Sequence, residues 1–224
     1  MKLSVPVLQQ SPKSVDCGIA SVAMIYAFYR IKKEYSRLQK ELTTNRVGTY
    51  APQLGINLLQ NGFQVEIVTH NPRLVEVKDK NLNQKQLASK FTQELKRAKN
   101  ASDKRALKFF MKFMGLGGKI TIKVPTISDI KEEIESKRPL IAYFTNAPLY
   151  DWEPDIYLMD RPIWKTMHIA VVSGIDPENV YINDPMWDNN GGQKSYPIEQ
   201  FFYAVYTSAL GDLDNACLMK IRRG

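Results

Sequence analysis

The chain has 224 residues, 31 Lys or Arg against 23 Asp or Glu, a formal charge of +8 and 44% apolar residues, the make-up of an ordinary globular protein long enough for one large domain. That composition excludes disorder and collagen-like order. The opening "MKLSVPVLQQ" lacks an apolar core of signal-peptide length, and no run reaches the roughly 18 apolar residues of a bilayer span, so a cytoplasmic chain is expected.

The stretch "LQQSPKSVDCGIASVAMIYAFY", residues 8 to 29, puts Cys17 directly before an apolar run of helical spacing. A cysteine in the first turn of a helix meets unpaired backbone N–H groups and the positive end of the dipole, which favour a thiolate. Cys17 is therefore a candidate nucleophile, against the plainer reading of a small residue packing the helix start. Gly18 and Ala20 behind it are small enough to let this helix, expected over 16 to 31, press closely on a sheet or a substrate. "EYSRLQKEL" reads as a second helix, and "YAPQLGINLLQNG" as a third that stops at a glycine. "FQVEIVTH" alternates as a strand.

From residue 71 to 124 there are 14 Lys or Arg and 4 Asp or Glu, an excess of 10 that exceeds the charge of the whole chain. Within it Leu87, Phe91, Leu95 and Ala98 recur at helical spacing with basic residues on the other faces, predicting one or two amphipathic helices. Such a surface suits solvent or an acidic peptide; without a recognisable nucleic-acid module, a nucleic-acid partner is not expected. "MGLGGKITIKVP" closes the segment as a glycine-rich turn into a strand. "TISDIKEEIESKR" predicts a helix capped by Ser128, with Ile127, Ile130 and Ile134 as its stripe and Pro139 beyond its end. "PLIAYFT", "HIAVVSGI" and "VYINDP" then read as strands, the last two joined by a hairpin at "GIDPEN". Helices first and an antiparallel sheet second make an α+β fold.

His168 opens one strand of that hairpin and Asp184 closes the next, so both belong at one end of adjacent strands. A helix laid across the sheet would bring Cys17 to that end. Imidazole beside a thiol stabilises thiolate and protonates a leaving group, while a carboxylate on the other ring nitrogen fixes the tautomer. The oxyanion needs donors, which the Cys17 N–H and the side-chain amide of Gln10, folded back across "SPKSVD", would supply; Gln9 competes with Gln10. Cys17 and Cys217 are too separated for a disulfide framework and are expected free, with Cys217 in the core of the strand "ACLMKI". Only His70 and His168 accompany them, with no close cysteine pair, so no metal is expected.

Together "QQSPKSVDCGIASVAMI", "RPLIAYF" before "HIAVVSGI", and "VYINDP" before "YPIEQFF" resemble the papain-like cysteine peptidases of the bacteriocin-processing, double-glycine leader peptidase type, as a stand-alone member. The resemblance implies a papain-like α+β fold, hydrolysis of a peptide bond in a peptide or protein substrate such as a leader sequence, Cys17 as nucleophile, His168 as base, Asp184 as orienting acid, Gln10 as oxyanion donor, and no cofactor. It makes the chain one peptidase domain over 1–224, with the basic segment at about 71–124 as an insertion and a long loop at about 146–166 as a candidate flap over the cleft. Two other readings use the same residues: acyl transfer to an amine or thiol, and a non-catalytic module that binds through the basic segment.

Overall fold

The structure, a computed structural model, describes residues 1–42, 44, 48–152, 156–158, 161–163 and 167–224; of 156–158 and 161–163 it describes the backbone. Helix α1 (Cys17–Phe28) is buried on nearly every side, as a helix without a polar face must be. It begins at the cysteine. Helices α2 (Tyr35–Glu41) and α3 (Ala51–Gln60) follow, then strand β1 (Phe63–Thr69). The basic segment forms two helices, α4 (Gln84–Arg97) and α5 (Ala101–Gly115). Leu87 and Phe91 of α4, and Ala106, Leu107, Phe110 and Phe113 of α5, are buried, while the lysines face outward or pair locally, as Lys90 does with Asp79.

Strand β2 (Lys119–Ile122), helix α6 (Ile127–Glu135), strand β3 (Leu140–Thr145) and the single turn α7 (Ala147–Tyr150) come next. A two-stranded ribbon, β4 (Ile156–Leu158) and β5 (Arg161–Ile163), leads to β6 (Met167–Ile175), β7 (Asn179–Asp184), β8 (Gly192–Pro197), helix α8 (Ile198–Thr207) and β9 (Cys217–Arg223). The span expected as a long loop thus carries α7 and the ribbon; its residues 153–155, 159–160 and 164–166 lie outside the described residues.

Seven strands form one sheet in the order β2-β1-β9-β3-β6-β7-β8. Every neighbouring pair is antiparallel except β1 and β2, which run parallel with α4 and α5 between them in the chain. The α+β class holds. The sheet is not wholly late in the sequence, however, because β1 and β2 belong to it. Helix α1 packs on β6, where the Ser21 hydroxyl donates to the Ile169 carbonyl at 3.2 Å.

The cap of α6 is Thr126, not Ser128. The Asp129 carboxylate accepts from the Thr126 N–H at 2.9 Å and from its hydroxyl at 3.0 Å, which leaves Ser128 inside the first turn. Cys217 is fully buried in β9, and both cysteines are free.

Candidate active site

Three elements deliver three side chains to one place. Helix α1 offers Cys17 as its first residue, β6 carries His168 as its second, and β7 ends on Asp184. In the β6–β7 pair Val171 faces Asn183, so His168 and Asp184 lie at the same end of the hairpin. There the His168 ring nitrogen Nε2 meets Asp184 Oδ1 at 2.7 Å. The Cys17 thiol lies within electrostatic reach of the same imidazole; with Nε2 committed to Asp184, Nδ1 is the nitrogen left for the sulfur.

Asp184 is completely buried, and its carboxylate accepts three bonds. Besides His168 it receives the Met186 N–H on Oδ1 at 2.8 Å and the Tyr150 hydroxyl on Oδ2 at 2.7 Å. Burial and the neighbouring Asp184 carboxylate raise the Tyr150 phenol well above its ordinary value, so it remains a donor. Sequence reading passed over Tyr150, which lies 34 residues from its partner in the chain. The His168 ring is packed edge-on by Phe144 at 5.6 Å between centroids and by Tyr150 at 6.0 Å. Phe144 is there by register, since it is the cross-strand partner of His168.

Burial by itself disfavours a charged imidazole, but the Asp184 carboxylate and its hydrogen bond, with a further contribution from Cys17, outweigh that and raise His168 from 6.5 to about 10. The ring therefore holds its proton at neutral pH.

Gln10 is buried and Gln9 exposed, which separates the two candidates. The Gln10 backbone N–H donates to the Pro185 carbonyl at 2.7 Å, tying this loop to the residue after Asp184. Its side-chain Nε2 donates to the Ser14 carbonyl at 2.7 Å, within the loop before Cys17. One amide hydrogen remains for another acceptor. The Cys17 N–H, first in its helix, has no intrahelical carbonyl to meet.

Gly18 is fitted against α3's approach. A methyl group there would fall 2.1 Å from Thr49 Oγ1 and 3.0 Å from both Ile169 Cδ1 and Leu54 Cδ1, so only glycine lets the start of α1 sit this close. The other histidine, His70, follows β1 and takes no part in this cluster. Among the described residues no group of three or more His, Cys, Asp or Glu is arranged to hold a metal ion, and no helix is long and apolar enough to cross a membrane.

A family profile described as "Peptidase_C39 like family" matches residues 2–211. Three solved structures are similar to the chain. One is a double glycine motif protease from an AMS/PCAT transporter in complex with the leader peptide, at 15% identity and a TM-score of 0.48, covering 100% of this chain and 94% of that one. Another is described as a C39-like peptidase from Bacillus anthracis, at 16% and 0.49, covering 100% and 98%. The third is the peptidase domain of Streptococcus ComA, a bi-functional ABC transporter of a quorum-sensing pathway, at 14% and 0.47, covering 97% and 98%. No curated protein matches the chain. The family match spans almost the whole sequence, whereas likenesses this distant carry no argument of their own.

Proposed function

Since the chain belongs to the Peptidase_C39 like family and is a cysteine peptidase, we propose that Cys17 is its nucleophile, His168 its acid–base group, Asp184 the acid that orients His168, and Gln10 an oxyanion donor. The observation that carries this reading is the His168 Nε2–Asp184 Oδ1 bond at 2.7 Å on a ring that also lies within reach of the Cys17 sulfur.

In the reaction, the Cys17 sulfur, its proton held by His168, attacks the carbonyl carbon of the scissile peptide. The new oxyanion takes hydrogen bonds from the Cys17 N–H and the spare Nε2 hydrogen of Gln10. Collapse breaks the C–N bond, and His168 gives its proton to the departing amine. A thioester remains on Cys17. His168, now neutral, takes a proton from water as it attacks the thioester; the product acid leaves and the thiolate–imidazolium pair returns. Asp184 stays ionised throughout. Its three hydrogen bonds hold the ring with Nδ1 toward sulfur.

The substrate class is a peptide or protein chain, and processing of a leader sequence is the form of the reaction that the resemblance to double-glycine leader peptidases suggests. A cytoplasmic, reducing location suits a working thiol and belongs to the proposal.

The test is labelling of Cys17 by iodoacetamide, followed by mass spectrometry in the native protein and in His168→Ala. At pH 6 the native protein labels at least tenfold faster than the variant, and Cys17→Ala abolishes peptide hydrolysis. Equal rates in the two proteins would sink the assignment.

A further inference from the structure

Beside Cys17 lies a cavity of about 30 Å3, room for one water-sized group. Its walls include Thr49, Tyr143, Asp212, Asp214 and Asn215, together with Cys17 itself. None of the described residues that line it is basic. Two of them are carboxylates, one of which, Asp214, is buried. Three further polar atoms in these walls are buried and without a hydrogen-bond partner among the described residues: Thr49 Oγ1, Tyr143 Oη and Asn215 Nδ2. Buried polar atoms left unpaired are costly in a folded protein, so this wall, with two carboxylates beside the two hydroxyls, calls for a polar occupant.

We propose that this cavity is a subsite for a primary ammonium group, borne by a substrate residue next to the scissile bond. The inference rests on Cys17 being the nucleophile, because Cys17 is what places the cavity at the reacting carbonyl. An ammonium offers three donors, and the hydroxyl oxygens of Thr49 and Tyr143 and the carboxylates of Asp212 and Asp214 are acceptors for them. The fit is by size as well as charge. A guanidinium is a planar group several times larger than one water and does not enter, so lysine is accepted over arginine.

The state of Asp214 is set first by burial. Burial pushes its carboxyl up to about 7, against the bond it accepts from the Ala51 N–H and with a smaller push from Asp212. Among the described residues no cation is named as acting on it. Tyr143 lies within the electrostatic reach of Asp214 and Cys17 alike, which joins the acidic wall to the thiol. Asp212 is held in place by the Ser102 hydroxyl at 3.0 Å, and the same hydroxyl meets the Tyr50 hydroxyl at 3.0 Å, so the start of α5 braces this wall.

The experiment needs no known substrate. The full chain is reacted with three chloroacetamides carrying 4-aminobutyl, pentyl or 4-guanidinobutyl tails, and labelling of Cys17 is timed by mass spectrometry. In each case the sulfur displaces chloride from the α-carbon, forming one C–S bond and releasing one chloride ion. The amine is expected to label Cys17 at least tenfold faster than the pentyl compound, with the guanidine near the pentyl rate. In Asp214→Asn, which keeps an oxygen for the Ala51 N–H, the amine-to-pentyl ratio falls toward one; Asp212→Asn, at a half-buried position, lowers it as well. Equal amine and pentyl rates in the wild-type chain overturn the subsite, and they leave the catalytic pair standing if iodoacetamide labelling still depends on His168. An amine preference that survives without any dependence on His168 supports the subsite and overturns the catalytic reading instead.

Discussion

Two single-atom relations decide how well the Cys17 site is held. The Tyr150 hydroxyl fills one lone pair of a fully buried carboxylate, so Tyr150→Phe leaves Asp184 Oδ2 without that donor. A loss of about 1–3 kcal/mol in urea unfolding is expected, with kcat falling and KM unchanged, since Tyr150 acts through Asp184 and not on the substrate. Gly18→Ala sets a methyl group against Thr49 Oγ1, and a comparable fall of about 1–3 kcal/mol is expected, recovered in part by pairing it with Thr49→Ala. Unchanged melting of Gly18→Ala would mean that α1 can shift at no cost. That Cys17, His168 and Asp184 come together was legible in the sequence because each is a chemically loaded residue at the boundary of a strongly patterned element. Gln10 and Gln9 were not separable there; only burial distinguishes them. Tyr150, Thr49 and Asp214 left no local mark, because what makes each of them matter is a contact made across distant parts of the chain. Asp214 reaches Ala51 across 163 residues.

Among the elements, the apolar stripes foretold the helices well and their partners poorly. Periodicity gives the face of α5 but not what that face covers. Phe113 is buried at the far end of α5, packed so closely on α3 and the following turn that a methyl group at Gly55 would stand 2.6 Å from its ring and one at Gly118 2.4 Å. Phe113→Ala should therefore cost about 3–5 kcal/mol, read as a drop in the urea midpoint, while lysine replacements on the outer face of α4 and α5 change it little. If Phe113→Ala is as stable as the parent, α5 is not docked through this ring. The cap of α6 was misplaced by two residues for a similar reason: Thr126 and Ser128 are both good capping residues, and the sequence does not say which of them the Asp129 carboxylate will reach.

For the whole molecule, two buried groups bias stability toward acid. His168 binds its proton more tightly folded than unfolded, so the stabilisation it gives is complete below about pH 6.5 and is lost as pH rises through about 10. Asp214, raised from 3.8 to about 7, works in the same direction over a lower range, and its effect is spent above that value. Between pH 7 and 10 the wild-type chain is therefore expected to lose unfolding free energy more steeply than His168→Ala, as measured by urea titration at each pH; parallel curves would contradict the raised value. One feature of the sheet bears on how this molecule can be cut. Parallel neighbours need a return path along the sheet, which no tight turn provides, so the chain between β1 and β2 cannot be trimmed to a hairpin. The smallest segment that can be excised is the α4–α5 pair together with β2, and its excision would turn β1 from an inner strand into a bare rim and uncover the side of α3 on which Phe113 rests.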